Sequence, residues 1–175
     1  SMVAFENPKS RFRQGMAETD IDLVTFGTGA IFCGENATLD GMMYASLPPK
    51  DFFILTNHNG AVDGLIYRRH LNLRQMMKMF GDKIGEAAKD LKEDAKNGQD
   101  KKLELIHVII PRDDQMAWPL NTKMPYTSIW VEVSKKEILS ESGFHEFPLA
   151  VPRFDTTSGE DWGRGPGMVA LPDAN

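Results

Sequence analysis

The sequence predicts an α+β fold with mostly antiparallel strands, on three observations. Two stretches, 10–26 and about 72–96, carry apolar residues at helical spacing. Grouped strand-like runs are joined by links short enough for hairpins, the pairing that direct antiparallel neighbours require. The chain, 175 residues with 41% apolar and 26% charged side chains, is long enough to bury a core without metals or disulfides. Its opening Ser1-Met2 reads as a tag-removal scar followed by an engineered start.

Residues 1–9 show little pattern and are expected to fray. From Ser10, read as a helix cap, Phe12, Met16, Ile21, Leu23, Val24 and Phe26 fall roughly on one face and predict an amphipathic helix. Gly27-Thr28-Gly29 ends it and leads into a short buried strand, Ala30 to Cys33. As a phosphate loop this fails, because Phe32 stands where a third glycine belongs and a strand comes next where a helix should. A structural turn is the reading. Met42 to Leu47 and Phe52 to Thr56 are strands broken at Pro48-Pro49, and Asn57-His58-Asn59-Gly60 is a hairpin signal. Val62 to His70 returns, with Asp63, Arg68 and Arg69 as surface charges and a subunit contact as their alternative use.

Asn72 with Gln75 predicts a capping box at the head of the second helix. Its stripe, Leu73, Met76, Met77, Phe80, Ile84, Ala87, Ala88, Leu91 and Ala95, steps by three or four residues or lies alongside. Gly81 is placed to break it into two helices in line. The methionines read as core, with an adaptable partner-binding face as the other use. Residues 82–102 hold six acidic and six basic side chains, a solvated face rather than a DNA patch. Asn97-Gly98 is the helix stop.

Leu103 to Ile110 is the clearest strand, with His107 inside it as a satisfied core or edge histidine. Arg112-Asp113-Asp114 comes next as a loop; the two carboxylates lack further oxygen ligands for a cation cage, so a turn or an Arg112 salt bridge is expected. An irregular connection, 116–125, contains Trp118-Pro119. Thr127 to Val133 alternates as a half-buried strand, with Ile129, Val131 and Val133 on one side and Trp130 and Glu132 on the other. Ile138 to Glu141 pairs back on it after the Lys135-Lys136 turn.

The last stretch, Gly143 to Asp173, holds Pro148, Pro152, Pro166 and Pro172 and the run Trp162-Gly163-Arg164-Gly165-Pro166-Gly167. Proline keeps the backbone before it extended, so this is an extended segment, a polar turn and a tight corner aimed at a new element. The organisation is therefore 1–155 as one α+β body and 156–175 as the corner and the lead-in to that element.

No nucleophile elbow, His-x-x-x-His, Cys-x-x-Cys or phosphate-loop sequence occurs. Cys33, the sole cysteine, excludes an internal disulfide. We expect no enzyme, no cofactor, no metal and no membrane contact. A net charge of −5 argues against a surface that coats nucleic acid.

Five motifs in order resemble the head-to-tail connecting (portal) proteins of short-tailed phages: Phe26-Gly27-Thr28-Gly29, Tyr67-Arg68-Arg69, Met79-Phe80-Gly81, Ile110-Pro111-Arg112-Asp113-Asp114, and the Gly163-Arg164-Gly165-Pro166 corner with Leu171-Pro172-Asp173. Phe154 and Trp162 depart from the family's Trp and Tyr but keep a ring. The resemblance implies a wing-like part of a ring, of twelve subunits, at one capsid vertex of the virion, with 156–175 leading toward the stem. It also implies synthesis in the bacterial host cytoplasm and a channel through which DNA passes without sequence-specific binding. Terminase, capsid or scaffold proteins and tail adaptors would be the partners. The expected corner or subunit-interface residues are Arg112, Arg153, Trp162, Gly163, Arg164 and Pro166, with Pro152 and Leu171 in the family's terms; Arg153 or Arg164 is expected to make a charged hydrogen bond across the corner or to a neighbour. Another virion adaptor or baseplate protein, or a small ligand-binding module or enzyme with a pocket between the sheet and helix 72–96, is the alternative.

Overall fold

The computed structural model describes residues 8–35, 42–81, 83–112, 124–156 and 159–166. The Asp113-Asp114 pair, Trp118-Pro119, the N-terminal seven residues and Leu171-Pro172-Asp173 lie outside them. The chain forms two compact units, one of residues 1–62 with 148–175, the other of residues 63–147. The fold is α+β with antiparallel sheets, as the patterning predicts.

The first unit begins with helix α1 (Phe12–Phe26), followed by β1 (Ile31–Glu35), β2 (Met42–Ser46) and β3 (Phe52–Thr56). β1 lies between β2 and the two-residue β8 (Leu149–Ala150), antiparallel to both. Helix α1 corrects the expectation for its buried face. Gly15 and Thr19 are its buried residues, whereas Ile21, Val24 and Phe26 are more than half exposed. Small residues win because the helix comes very close to the sheet: a Cβ on Gly15 would lie 3.1 Å from the Ile31 Cδ1. Thr19 turns its hydroxyl inward, where it bonds the Gly15 carbonyl at 2.7 Å and the Ser46 hydroxyl of β2 at 3.3 Å, so its polarity is satisfied. The cap position is Arg11, at φ 55°, and Ser10 takes the Phe12 N–H from one residue further out.

The Pro48-Pro49 break becomes a 3-10 turn at Pro49–Asp51. The β3 hairpin turn needs a positive φ only at Gly60 (75°); the Asn57 side chain accepts from the Asn59 and Ala61 amides and shapes the remainder.

The second unit holds β4 (Val62–Asn72, shared at its first residue), α2 (Leu73–Phe80), α3 (Ala87–Lys96), β5 (Lys102–Pro111), β6 (Tyr126–Glu132) and β7 (Glu137–Phe144). Its strands run β4-β5-β6-β7, every pairing antiparallel. The capping box forms in full: Asn72 accepts from the Gln75 amide and Gln75 from the Asn72 amide, each at 3.0 Å. Gly81, at φ 60°, ends α2, and α3 starts six residues on. Gly98, at φ 75°, closes α3 with Gln99 N–H bonded to the Asp94 carbonyl, a Schellman ending. Met76, Ile84, Ala88 and Leu91 are the buried stripe; Met77 and Met79 are exposed, so only part of the methionine run is core.

Strand β6 differs from the half-buried expectation. Thr127, Ser128, Ile129 and Trp130 are all buried, as is Glu132, and Val133 lies beyond the strand. Register puts Trp130 beside His107 and Tyr67, and Phe80 of α2 meets its ring at 5.7 Å. The polar residues on that face are there because each has a partner. Glu132 takes the Ser134 hydroxyl and the Ser134 and Lys135 amides, and so fixes the turn into β7. Burial pushes its carboxyl upward, but those donors and the Lys135 charge outweigh it and hold the pKa below the usual range.

Candidate functional site

The Gly/Pro corner and the end of α1 are remote in sequence and meet in space. Gly27, at φ 78°, caps α1 through its amide to the Leu23 carbonyl. A Cβ there would collide with the backbone of Gly163, Arg164 and Gly165, and Cβ atoms on Gly163 and Gly165 would collide with Gly27 in return. Glycine on both sides is thus the condition for the two backbones to touch. Between them lies Thr28, fully buried, whose hydroxyl accepts from the Gly163 amide at 2.7 Å. Thr28 also bridges Arg153 as a strand pair, while the Phe154 amide reaches the Gly27 carbonyl and Gly29 reaches that of Pro152.

The arginines complete the corner. Arg153 donates to the Asp161 carbonyl at 3.1 Å and to the Gly60 carbonyl, at the hairpin tip, at 2.8 Å. Arg164 makes a two-pronged pair with Glu160, and each holds its partner's charge: the Glu160 carboxyl is lowered and the Arg164 guanidinium raised. Asp161 takes the Thr56 hydroxyl, and Trp162 stacks on Phe52 with ring centroids 5.4 Å apart. Residues 159–162 are therefore fastened from several sides to the rest of the first unit.

Of the residues expected from sequence, Arg153, Trp162, Gly163, Arg164 and Pro166 gather here with Pro152. Arg112 does not: it belongs to the second unit, where its amide bonds the Pro125 carbonyl. Both corner arginines make bonds within the chain. Thr28, Asp161 and Glu160 join the site without having been singled out by sequence. The Phe-Gly-Thr-Gly motif points at Thr28, but nothing in the sequence says that a residue 135 positions away needs its hydroxyl.

A second polar cluster is buried in the other unit. His107 faces the Tyr67 hydroxyl through Nδ1 at 2.8 Å and the Ser128 hydroxyl through Nε2 at 2.7 Å, with its ring stacked on Trp130. It resembles a nucleophile–base pair in its connections only. All three residues are buried, His107 and Ser128 at 2% exposure, so water and substrate are kept from the hydroxyl. Burial pushes the imidazole pKa down to about 3 and the phenol up; the Arg69 charge lowers the imidazole further and offsets part of the phenol's rise. This is the satisfied core histidine the sequence predicts.

Among the described residues no group of three His, Cys, Asp or Glu side chains is placed to hold a metal ion, and no helix is long and apolar enough to cross a membrane. Comparison with known proteins bears on the same residues. The family described as bacteriophage head to tail connecting protein matches residues 5–175. The portal protein of Salmonella phage epsilon15 is 30% identical over 169 residues, covering 93% of this chain. The chain spans 30% of that relative's length. With the match running from ahead of α1 through the Gly27–Gly165 contact, the chain belongs to the bacteriophage head to tail connecting protein family.

Proposed function

We propose that the chain is a wing-like portion of a phage or prophage portal, a structural virion protein whose copies form the ring through which DNA is packaged and later ejected. The observation that carries this reading is the family match over nearly the whole chain together with a portal protein as relative. The geometry agrees with a structural role. The corner's hydrogen bonds are used to fix backbone direction: Arg164 pairs with Glu160, and Arg153 is spent on the backbone carbonyls of Asp161 and Gly60. In this reading 156–175 leads the chain out of the wing toward the part that lines the channel.

On the same reading the protein resides at the portal vertex of the virion and is made in the host cytoplasm. Twelve copies close the ring, terminase docks on it during packaging, and capsid or scaffold and tail adaptor proteins border it. DNA slides past without sequence-specific grip, which a net charge of −5 favours over a phosphate-binding surface. No catalytic step is assigned. The test is native mass and electron microscopy of the protein expressed from its complete gene. Closed rings with a central channel are expected, and a monomer or dimer at micromolar concentration would refute the reading.

A further inference from the structure

Two helices of this chain present outward stripes of opposite charge, each centred on exposed apolar side chains. On α1, Ala17, Asp20, Ile21 and Val24 lie on one exposed stripe, with Ile21 65% and Val24 54% exposed and Glu18 beside them; Arg13 lies one turn before Ala17 on the same stripe, so Glu18 and Asp20 leave it acidic on balance. On α2, Arg74, Met77 and Lys78 share a stripe, with Met77 48% exposed. Arg74 occupies the first turn of α2, which has no acidic residue, whereas Lys78 lies in its last turn, where the helix dipole favours a cation. Asp20, Arg74 and Lys78 form no ion pair among the described residues. Each helix leaves large apolar atoms in water.

We propose that the α1 stripe of one copy docks on the α2 stripe of the next. Charge complementarity selects this occupant. An acidic-apolar stripe and a basic-methionine stripe on the same chain fit each other, whereas a polyanion such as DNA fits only α2 and a cationic peptide only α1. The two surfaces are different, so the contact is head-to-tail, the kind that repeats around a ring instead of ending at a dimer. Methionine on the receiving side adapts to the branched Ile21 and Val24. This inference rests on the ring reading above and names the contact that builds it.

Four forms of the full-length protein test it by sedimentation velocity at low and high salt: wild type, Glu18→Lys/Asp20→Lys, Arg74→Glu/Lys78→Glu, and all four changes together. Each single-stripe reversal is expected to weaken association at least about tenfold. The fourfold variant, and an equal mixture of the two reversals, should regain it to within about threefold, since both restore opposite signs at every contact. Rings that survive either reversal unchanged, or a fourfold variant that stays apart, would overturn the contact while leaving the ring reading in place. Wild-type protein that never forms rings would overturn both. Should a reversal fail to fold, Ile21→Cys/Met77→Cys in a Cys33→Ser background gives a second measurement. A ladder of copies linked through disulfides supports the contact, and equal linking by Ile21→Cys alone refutes it.

Discussion

His107 ties the stability of the second unit to pH in a way that can be calculated. The imidazole is 2% exposed, stacked face to face on Trp130 at 4.0 Å, and bonded to two hydroxyls. Serine and tyrosine hydroxyls can each donate or accept, so both ring nitrogens are satisfied in either neutral tautomer. Protonation adds a charge that burial keeps from water and that feels the like charge of Arg69, which is why the pKa falls to about 3 from 6.5. The folded-state value is the lower one, so the unfolded chain takes up the proton first. The contribution is complete above pH 6.5 and declines as pH falls toward 3. Between pH 7 and pH 5 this single group removes about 2 kcal/mol, from a slope of roughly 1.4 kcal/mol per pH unit once the unfolded histidine is charged. The assay is urea unfolding across that range for the native chain and His107→Phe. The variant loses stability at every pH because two hydroxyls are left unpaired, by about 1–3 kcal/mol each. The reading is the difference between the two curves, which should shrink by about 2 kcal/mol from pH 7 to pH 5. A constant difference, or an imidazole whose NMR signals titrate near 6.5 in the folded protein, would refute the argument.

The corner makes sharper predictions. Gly27→Ala places a Cβ into the Gly163–Gly165 backbone at a φ of 78° and should cost at least about 3 kcal/mol, seen in thermal unfolding together with early proteolysis after Asp155. Arg153→Ala removes the bonds to Asp161 and Gly60 and should cost about 1–2 kcal/mol, with Arg153→Lys recovering less than half because one ammonium cannot span both carbonyls. In the second unit Glu137 accepts the Glu86 amide at the head of α3. Glu137→Ala should therefore speed hydrogen exchange at Ala88 to Leu91 about fivefold, and Glu137→Gln, which keeps an acceptor, should do so less.

Much of the fold is legible in the sequence, and the failures about burial share one cause. Turns and caps depend on neighbours a few residues away, so the Asn72–Gln75 box, the Gly60 turn and the Gly98 stop can be read locally. Burial depends on what arrives from elsewhere. Size and apolarity put Ile21, Val24 and Phe26 in the core by pattern, yet the sheet approaches α1 on the side of Gly15 and Thr19. Alternation puts Glu132 on a polar side, yet it is buried because three donors of the next turn converge on it. The corner is visible as a bend, and its partner is not. Gly27 and Gly163 each look like a turn glycine, and only their contact shows that each is glycine because of the other.

That contact bears on how the backbone is directed through the corner. A Gly/Pro run alone would leave the next segment free to point anywhere, since glycine admits many backbone angles. Here three glycines are pressed together, and a backbone in contact with another backbone cannot use that freedom. The Gly163 amide is committed to Thr28, the Arg164 amide to the Asp155 carbonyl, and Asp161 and Glu160 are held by Arg153, Thr56 and Arg164. Pro166 then fixes its own φ and keeps Gly165 from a helical angle. The direction of the backbone at Pro166 is set by the end of α1, so a change at Gly27 alters that direction. In the proposed ring such an error would recur in every copy. Gly27→Ala is therefore expected to abolish ring closure, even under conditions that keep each copy folded.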